Sequence, residues 1–338
     1  MVLAGHMGHI MGVARPLIFD NEVQSLGCKI LFLLGGYFIT ISWESDRSVL
    51  RYAIKRIVRI WPPLIIAVLF AVFVIGPVFS SLSVTEYFAQ PLTWIYLWKN
   101  ILFSPVYALP GVFADNTYPA AVNGSLWTLP VEMVMYIMVP IVVTLLFRKK
   151  KKINFIIMCI LTAAVCAFQI VHVTLYPTWS FVVYGSDVFQ MFDLLPFYLI
   201  GMLFTFPYLK KILNVQIALI VFIVGSCLKL GTAHNFAMVY LALPYIVFSL
   251  GCAPNPKFSK LVPPSAEISY GIYLYGFMIQ QAIQCVLITK GIAMSFTLEL
   301  ILSAVITAVL AFLSHKFIEM PIVNASKKLL KKLKPAAS

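Results

Sequence analysis

The chain has 338 residues, of which 61% are hydrophobic and only 11% charged, with a mean hydropathy of +0.94. About half apolar residues already fill a soluble core, so this excess excludes an ordinary soluble domain and predicts an all-α polytopic membrane protein. The formal net charge of +13 does not point to nucleic acid, because the basic residues sit in short loops between apolar stretches, as in cytoplasmic loops.

In chain order, residues 1–13 are apolar but too short to span a bilayer. They lack a basic n-region and a small-residue cleavage site, which argues against a signal peptide. Such a stub suits a re-entrant segment, or, as we read it, the outer half of a first span whose beginning precedes Met1. Spans of about 17–25 residues are then predicted at 26–43, 62–79, 126–147, 153–172, 188–207, 212–229, 235–251, 267–288 and 297–314. With the stub this makes about ten transmembrane helices with both termini cytoplasmic. The cytoplasmic loops, 44–61, 148–152, 209–211, 252–264 and 315–338, then hold 20 of the 25 basic residues. Arg15, Lys29, Lys99, Lys229 and Lys290 fall outside or near the outer surface.

Residues 92–109 test this count. A further span there would invert everything downstream and expose 15 basic residues, and Lys99, Asn100, Pro105 and Pro110 interrupt it. We therefore read 80–125 as one outer-face excursion with interface-seeking Trp94, Tyr96 and Trp98. No internal repeat or separate soluble domain stands out. The chain reads as one integral-membrane domain, 1–338, with a basic cytoplasmic tail at 327–338. Its six cysteines are scattered without CxxC or metal-ligand spacing and read as packing residues; no metal is expected.

The run from Asn123 to Glu132 sets a polar turn and a carboxylate at the head of a long apolar segment, where a charge costs roughly 2.5–3.5 kcal/mol on insertion scales. His6 lies at a similar depth in the stub, and such a pair suits a general base and its orienter or a polar lock between helices. His9, one turn on, is the rival histidine. From Arg47 to Arg59 the chain forms a basic amphipathic stripe at the inner face. Arg56 and Arg59 suit the phosphates of a nucleotide-bearing donor, or plain snorkelling to lipid headgroups. Gly35 and Gly36 suit close helix packing or a slot for a thin, linear chain. Asp193 in a Pro-broken span and Glu319 beside His315 read as structural. Walker, GxGxxG and GxSxG patterns are absent.

Several ordered motifs resemble the membrane acyltransferase 3 family, bacterial O-acyltransferases of surface polysaccharides and related acceptors. They are Val2 to His6, Gly27 to Thr40, Lys55 to Pro62, Asn123 to Glu132, Ile268 to Tyr275 and Ser314 to Pro321. The resemblance implies an inner-membrane enzyme that takes an acyl group, usually acetyl, from cytoplasmic acetyl-CoA or another acyl-CoA. The acceptor is a hydroxyl of a cell-envelope glycan, free or lipid-linked. It makes His6 the catalytic histidine, Glu132 its motif's glutamate, Arg56 and Arg59 the donor-binding arginines, and Gly36 the glycine of the second span. The family's arginine about eleven positions before the histidine would precede Met1, and Lys29, Gly35 and Gly276 depart from the usual residues. The alternatives are a transporter or flippase for a lipid-linked or anionic solute, with the same charges lining its path, and an acyltransferase inactivated by truncation.

Overall fold

The computed structural model describes residues 1–119, 121–147, 150–228, 230–252 and 268–333. The expectations for Arg148 and Lys149, for Lys229, for 253–264 and for the tail after Leu333 lie outside the described residues. Apart from a single turn at Pro207–Lys210, twelve helices organise what is described. They are α1 (Val2–Met11), α2 (Val23–Ser45), α3 (Val49–Phe79), α4 (Val84–Ala89), α5 (Pro91–Ile101), α6 (Gly124–Leu146), α7 (Lys151–Leu175), α8 (Val188–Leu203), α9 (Val215–Cys227), α10 (Thr232–Gly251), α11 (Ser269–Lys290) and α12 (Phe296–Lys332). Seven of them, α2, α3, α6, α7, α10, α11 and α12, are long and apolar enough to cross a membrane, and α8 and α9 are shorter apolar helices. The protein is a multi-pass, all-α membrane protein, and each predicted span coincides with a helix. The 92–109 stretch holds only α5, whose eleven residues rise about 16 Å, well short of a bilayer.

Two boundaries differ from the sequence reading. The basic stripe and the following span are one continuous helix, α3, that runs through Pro62 and Pro63. Each proline forfeits a donor to the carbonyl four residues back, a loss that membrane helices offset with donors from neighbours. Tyr270 of α11 braces this stretch, donating to the Ile60 carbonyl at 3.3 Å, one position beyond the two carbonyls that the prolines leave without their helical donors. Likewise α12 continues past Ser314 into the basic tail through a π-turn at His315–Glu319. A second π-turn, Ala71–Ile75 in α3, has its Val72 carbonyl bonded by the Tyr87 hydroxyl at 3.0 Å.

Contacts divide the chain into two compact units, one of Met1–Val2, Pro16–Arg47 and Val131–Val262, the other of Leu3–Arg15, Ser48–Pro130 and Pro263–Ser338. The first unit contains an internal likeness that the sequence reading missed. A two-residue hairpin, β1 (Leu17–Ile18) with β2 (Asn21–Glu22), leads into α2, and another, β3 (Val182–Val183) with β4 (Ser186–Asp187), leads into α8. Both turns use two left-handed residues, Phe19 and Asp20 in one, Tyr184 and Gly185 in the other, the geometry of a tight hairpin. Helices α2 and α8 then pack reciprocally. A Cβ on Gly36 would strike the Tyr198 carbonyl, and one on Gly201 would strike the Leu33 carbonyl. Leu26, Leu33, Phe197, Phe204, Leu243 and Phe248 form the core around this crossing. Asp193 is bound to Lys29, which is buried on α2, at 2.5 Å, and α8 continues through Pro196 without the expected break.

In the second unit α11 and α12 pack side by side, and α3 lies against α5 and α12. Trp61 of α3 donates to the Ile101 carbonyl at the end of α5 at 2.8 Å. The excursion from 80 onward is fastened to the far end of α3 by Ser80, whose hydroxyl donates to the Pro110 carbonyl at 2.7 Å.

Candidate active site

His6 is half-buried on α1, and α11 positions that helix. Gln280, fully buried, donates its amide to the Leu3 carbonyl at 2.8 Å. The His6 ring meets Phe277 edge-on with centroids 5.1 Å apart. Phe277 in turn packs with Ile10, Ala121 and Tyr107 and takes the edge of Tyr118 at 6.1 Å. Gln281 locks this wall in place: its amide donates to the Tyr118 and Ala121 carbonyls at 2.8 Å, while Asn116 donates to its side-chain oxygen at 2.8 Å. Among the described residues of its unit, no group hydrogen-bonds the His6 ring. His9 is differently employed. Arg15 sits 3.0 Å from its Nε2, and a guanidinium only donates, so that nitrogen is an occupied acceptor. Of the two candidate histidines, His6 is the one whose ring is held by packing alone.

The Asn123 run is fastened to the same helix. Asn123 accepts from the Ser125 amide at 3.1 Å and donates to the Leu274 carbonyl at 2.8 Å. Thr128 and Tyr273 share a 2.6 Å bond, and Tyr273 also donates to the Ser125 carbonyl at 3.0 Å. At Gly124 an added Cβ would come within 2.8 Å of the Phe277 ring. Gly124 is therefore the residue that lets the turn close over the wall behind His6. Glu132, further along α6, accepts the hydroxyl of Tyr136 one turn on, a partner the sequence reading did not name. It belongs to the other unit, with Gly36, whereas His6, Arg56 and Arg59 share one unit.

Arg56 and Arg59 lie half-buried in the first turns of α3, a helix begun by Ser48, whose hydroxyl accepts the Arg51 amide at 3.4 Å. Arg56 stands over the Tyr52 ring at 5.7 Å, and Arg51 reaches the Leu333 carbonyl at 3.0 Å. The π-turn of α12 packs on α3. Its Glu319 is buried and bonded by His315 Nδ1 at 3.2 Å and Ser314 at 3.4 Å. Helix α11 thus touches the arginine helix at Tyr270 and the histidine at Phe277. These positions are seven residues apart, about 10 Å of helix rise.

Sequence reasoning missed Phe277, Gln280, Gln281, Tyr118 and Asn116. The signal was available in Gln280 and Gln281, since paired amides inside an apolar span are costly and must find partners. Among the described residues, no group of three or more His, Cys, Asp and Glu is placed to hold a metal ion.

A family model described as an acyltransferase domain matches residues 1–316. The chain belongs to this acyltransferase family. Membership makes it an enzyme and decides against the transporter alternative. Over 333 residues, 96% of this chain and 93% of the relative, it is 25% identical to the O-acetyl transferase of Shigella phage Sf6. It is 24% identical over 331 residues to the peptidoglycan O-acetyltransferase OatA of Listeria monocytogenes, covering 88% of this chain and 51% of that one. A third relative, nodulation protein 10 of Rhizobium leguminosarum bv. viciae, is 29% identical over 160 residues, 44% of this chain and 42% of its own. No solved structure matches this acyltransferase.

Proposed function

We propose that the chain is an O-acetyltransferase that moves an acetyl group from cytoplasmic acetyl-CoA to a hydroxyl of a cell-envelope glycan. In this reading the whole chain acts as one domain in the inner membrane, crossing about ten times, with both termini cytoplasmic. The observation that carries the reading is α11. One rigid helix holds the arginine-bearing start of α3 at Tyr270 and the histidine-bearing α1 at Phe277 and Gln280. An extended thioester arm clamped by its phosphates at Arg56 and Arg59 then has a short distance to cover. The names of the phage and Listeria relatives support acetyl as the group and oxygen as its destination.

His6 accepts the proton of the acceptor hydroxyl as its oxygen attacks the thioester carbonyl. The coenzyme A thiolate leaves and takes up a proton. Glu132, bonded to Tyr136, is a catalytic carboxylate in this reading only by the family resemblance. Gly36 borders the donor only by the family resemblance. Its packing against Tyr198 already requires glycine there.

The test is loss of the acetyl-CoA thioester in membranes containing the protein, with labelled acetate followed into surface polysaccharide. We expect His6→Ala to lower turnover by about 10²–10⁴-fold, the usual contribution of a general base. Equal turnover in both would remove His6 from the mechanism, and label confined to free acetate would overturn glycan transfer.

A further inference from the structure

Beyond the residues already given roles, the second unit contains a cavity of about 330 Å³ where the last residue of α1, Met11, meets the ends of α11 and α12. Leu287, Ile288 and Ile292 give it apolar walls, and Gln284 and Glu299 are its polar groups. That volume falls at the lower end of the roughly 300–1,000 Å³ typical of small-ligand sites. Glu299 is only 1% exposed. With the amide nitrogen of Gln284 turned toward it, that nitrogen donates to the two carboxylate oxygens at 2.9 and 3.2 Å. A carboxylate offers about four acceptor positions, so one amide nitrogen with its two N–H groups leaves about half of them unmet in a buried place, which is costly unless something supplies donors.

We infer that this cavity is a subsite for one neutral, hydroxyl-rich ring of the acceptor, held by Glu299 and Gln284. Hydroxyl groups supply the missing donors without bringing a second buried charge, and the apolar walls suit the C–H faces of a sugar ring. Met11 lies five residues from His6 on the same helix, about 7.5 Å of rise, so a ring held here keeps its neighbours in the glycan within reach of the histidine. The inference rests on the glycan-acceptor reading above. It adds which residues would select the acceptor.

The rival account is that Gln284 and Glu299 only staple α11 to α12. Binding of maltotetraose and chitotetraose to the purified full chain in nanodiscs, without donor, separates the two when melting temperature is recorded alongside. We expect at least one probe to bind, with its Kd weakened about tenfold by Glu299→Gln and by Gln284→Leu, the loss due to a charge-assisted hydrogen bond. Failure of both probes to bind the unaltered protein overturns the subsite, as does a lowered melting temperature with unchanged Kd in the variants. Thioester loss is read separately. Transfer activity without Glu299-dependent binding overturns only the subsite, and Glu299-dependent binding without transfer supports the cavity while overturning the activity.

Discussion

Lys29 carries a charge into the buried face of α2, and three groups answer it: Asp193 at 2.5 Å, the Ser25 hydroxyl at 2.7 Å, and the Phe197 ring at 5.7 Å. Removing one member of a fully buried pair costs about 3–5 kcal/mol. The Asp193 side chain is 35% exposed and the pair is not fully enclosed, so Lys29→Ala should cost about 1–3 kcal/mol. The double variant Lys29→Met, Asp193→Leu should regain most of that, because it leaves no charge behind. Melting temperatures in detergent check both. On the excursion, Ser83 and Glu86 cap α4 reciprocally, and the Ser83 hydroxyl, then its backbone amide, hold the Glu86 carboxyl below its ordinary value. A carboxyl depressed in the folded state stabilises fully above its unfolded pKa, about 4.3. That contribution disappears as pH falls through the lower folded value. Amide exchange at Tyr87 and Phe88 should therefore quicken as pH is lowered from 5 to 3, after correction for the intrinsic rate, and Ser83→Ala should flatten that dependence.

The crossing of α2 and α8 sets the first unit's geometry, because backbone lies where two side chains would otherwise stand. Overpacking a tight core costs about 1–3 kcal/mol, and a carbonyl cannot swing aside as a side chain can. Gly36→Ala and Gly201→Ala should each lower the melting temperature, and the pair should be less than additive because both widen one interface. The repeat behind this crossing was present in the sequence at a spacing of 165 positions: Val23 with Val188, Phe32 with Phe197, Leu34 with Leu199, Gly36 with Gly201. Four identities in two apolar helices do not rise above composition. Only the hairpins, each with an aromatic residue in the left-handed region, make the relation plain. The spans themselves were legible because apolar windows of sufficient length have few alternatives in a bilayer. Pro62–Pro63 and His315–Glu319 misled for the opposite reason. A local breaker rule was overridden by packing against elements more than 200 positions away, Tyr270 of α11 beside the prolines and α3 beside the π-turn.

At the scale of the whole molecule, the sequence pattern singled out His6 and the basic stripe as candidates with two readings each, and the family resemblance chose between the readings. The wall behind His6 escaped because its contacts, such as Gln280 to Leu3 across 277 positions, leave no periodic trace. The proposed function puts donor binding on α3 and chemistry on α1, and kinetics can separate the two. If Arg56 and Arg59 clamp phosphates, Arg59→Ala should raise the KM for acetyl-CoA by about 10–100-fold, the worth of a charge-assisted bond of about 1.5–3 kcal/mol, while kcat changes little. Arg59→Lys should fall between, since it keeps the charge but loses the two-pronged geometry. Coenzyme A lacking an acyl group should compete with the donor in the unaltered enzyme and compete more weakly in both variants. A guanidinium that merely snorkels to lipid headgroups predicts another outcome: KM and inhibition by coenzyme A stay constant, and the variants differ only in how they respond to anionic lipid. Initial rates across donor concentration, in vesicles with and without anionic lipid, decide between them.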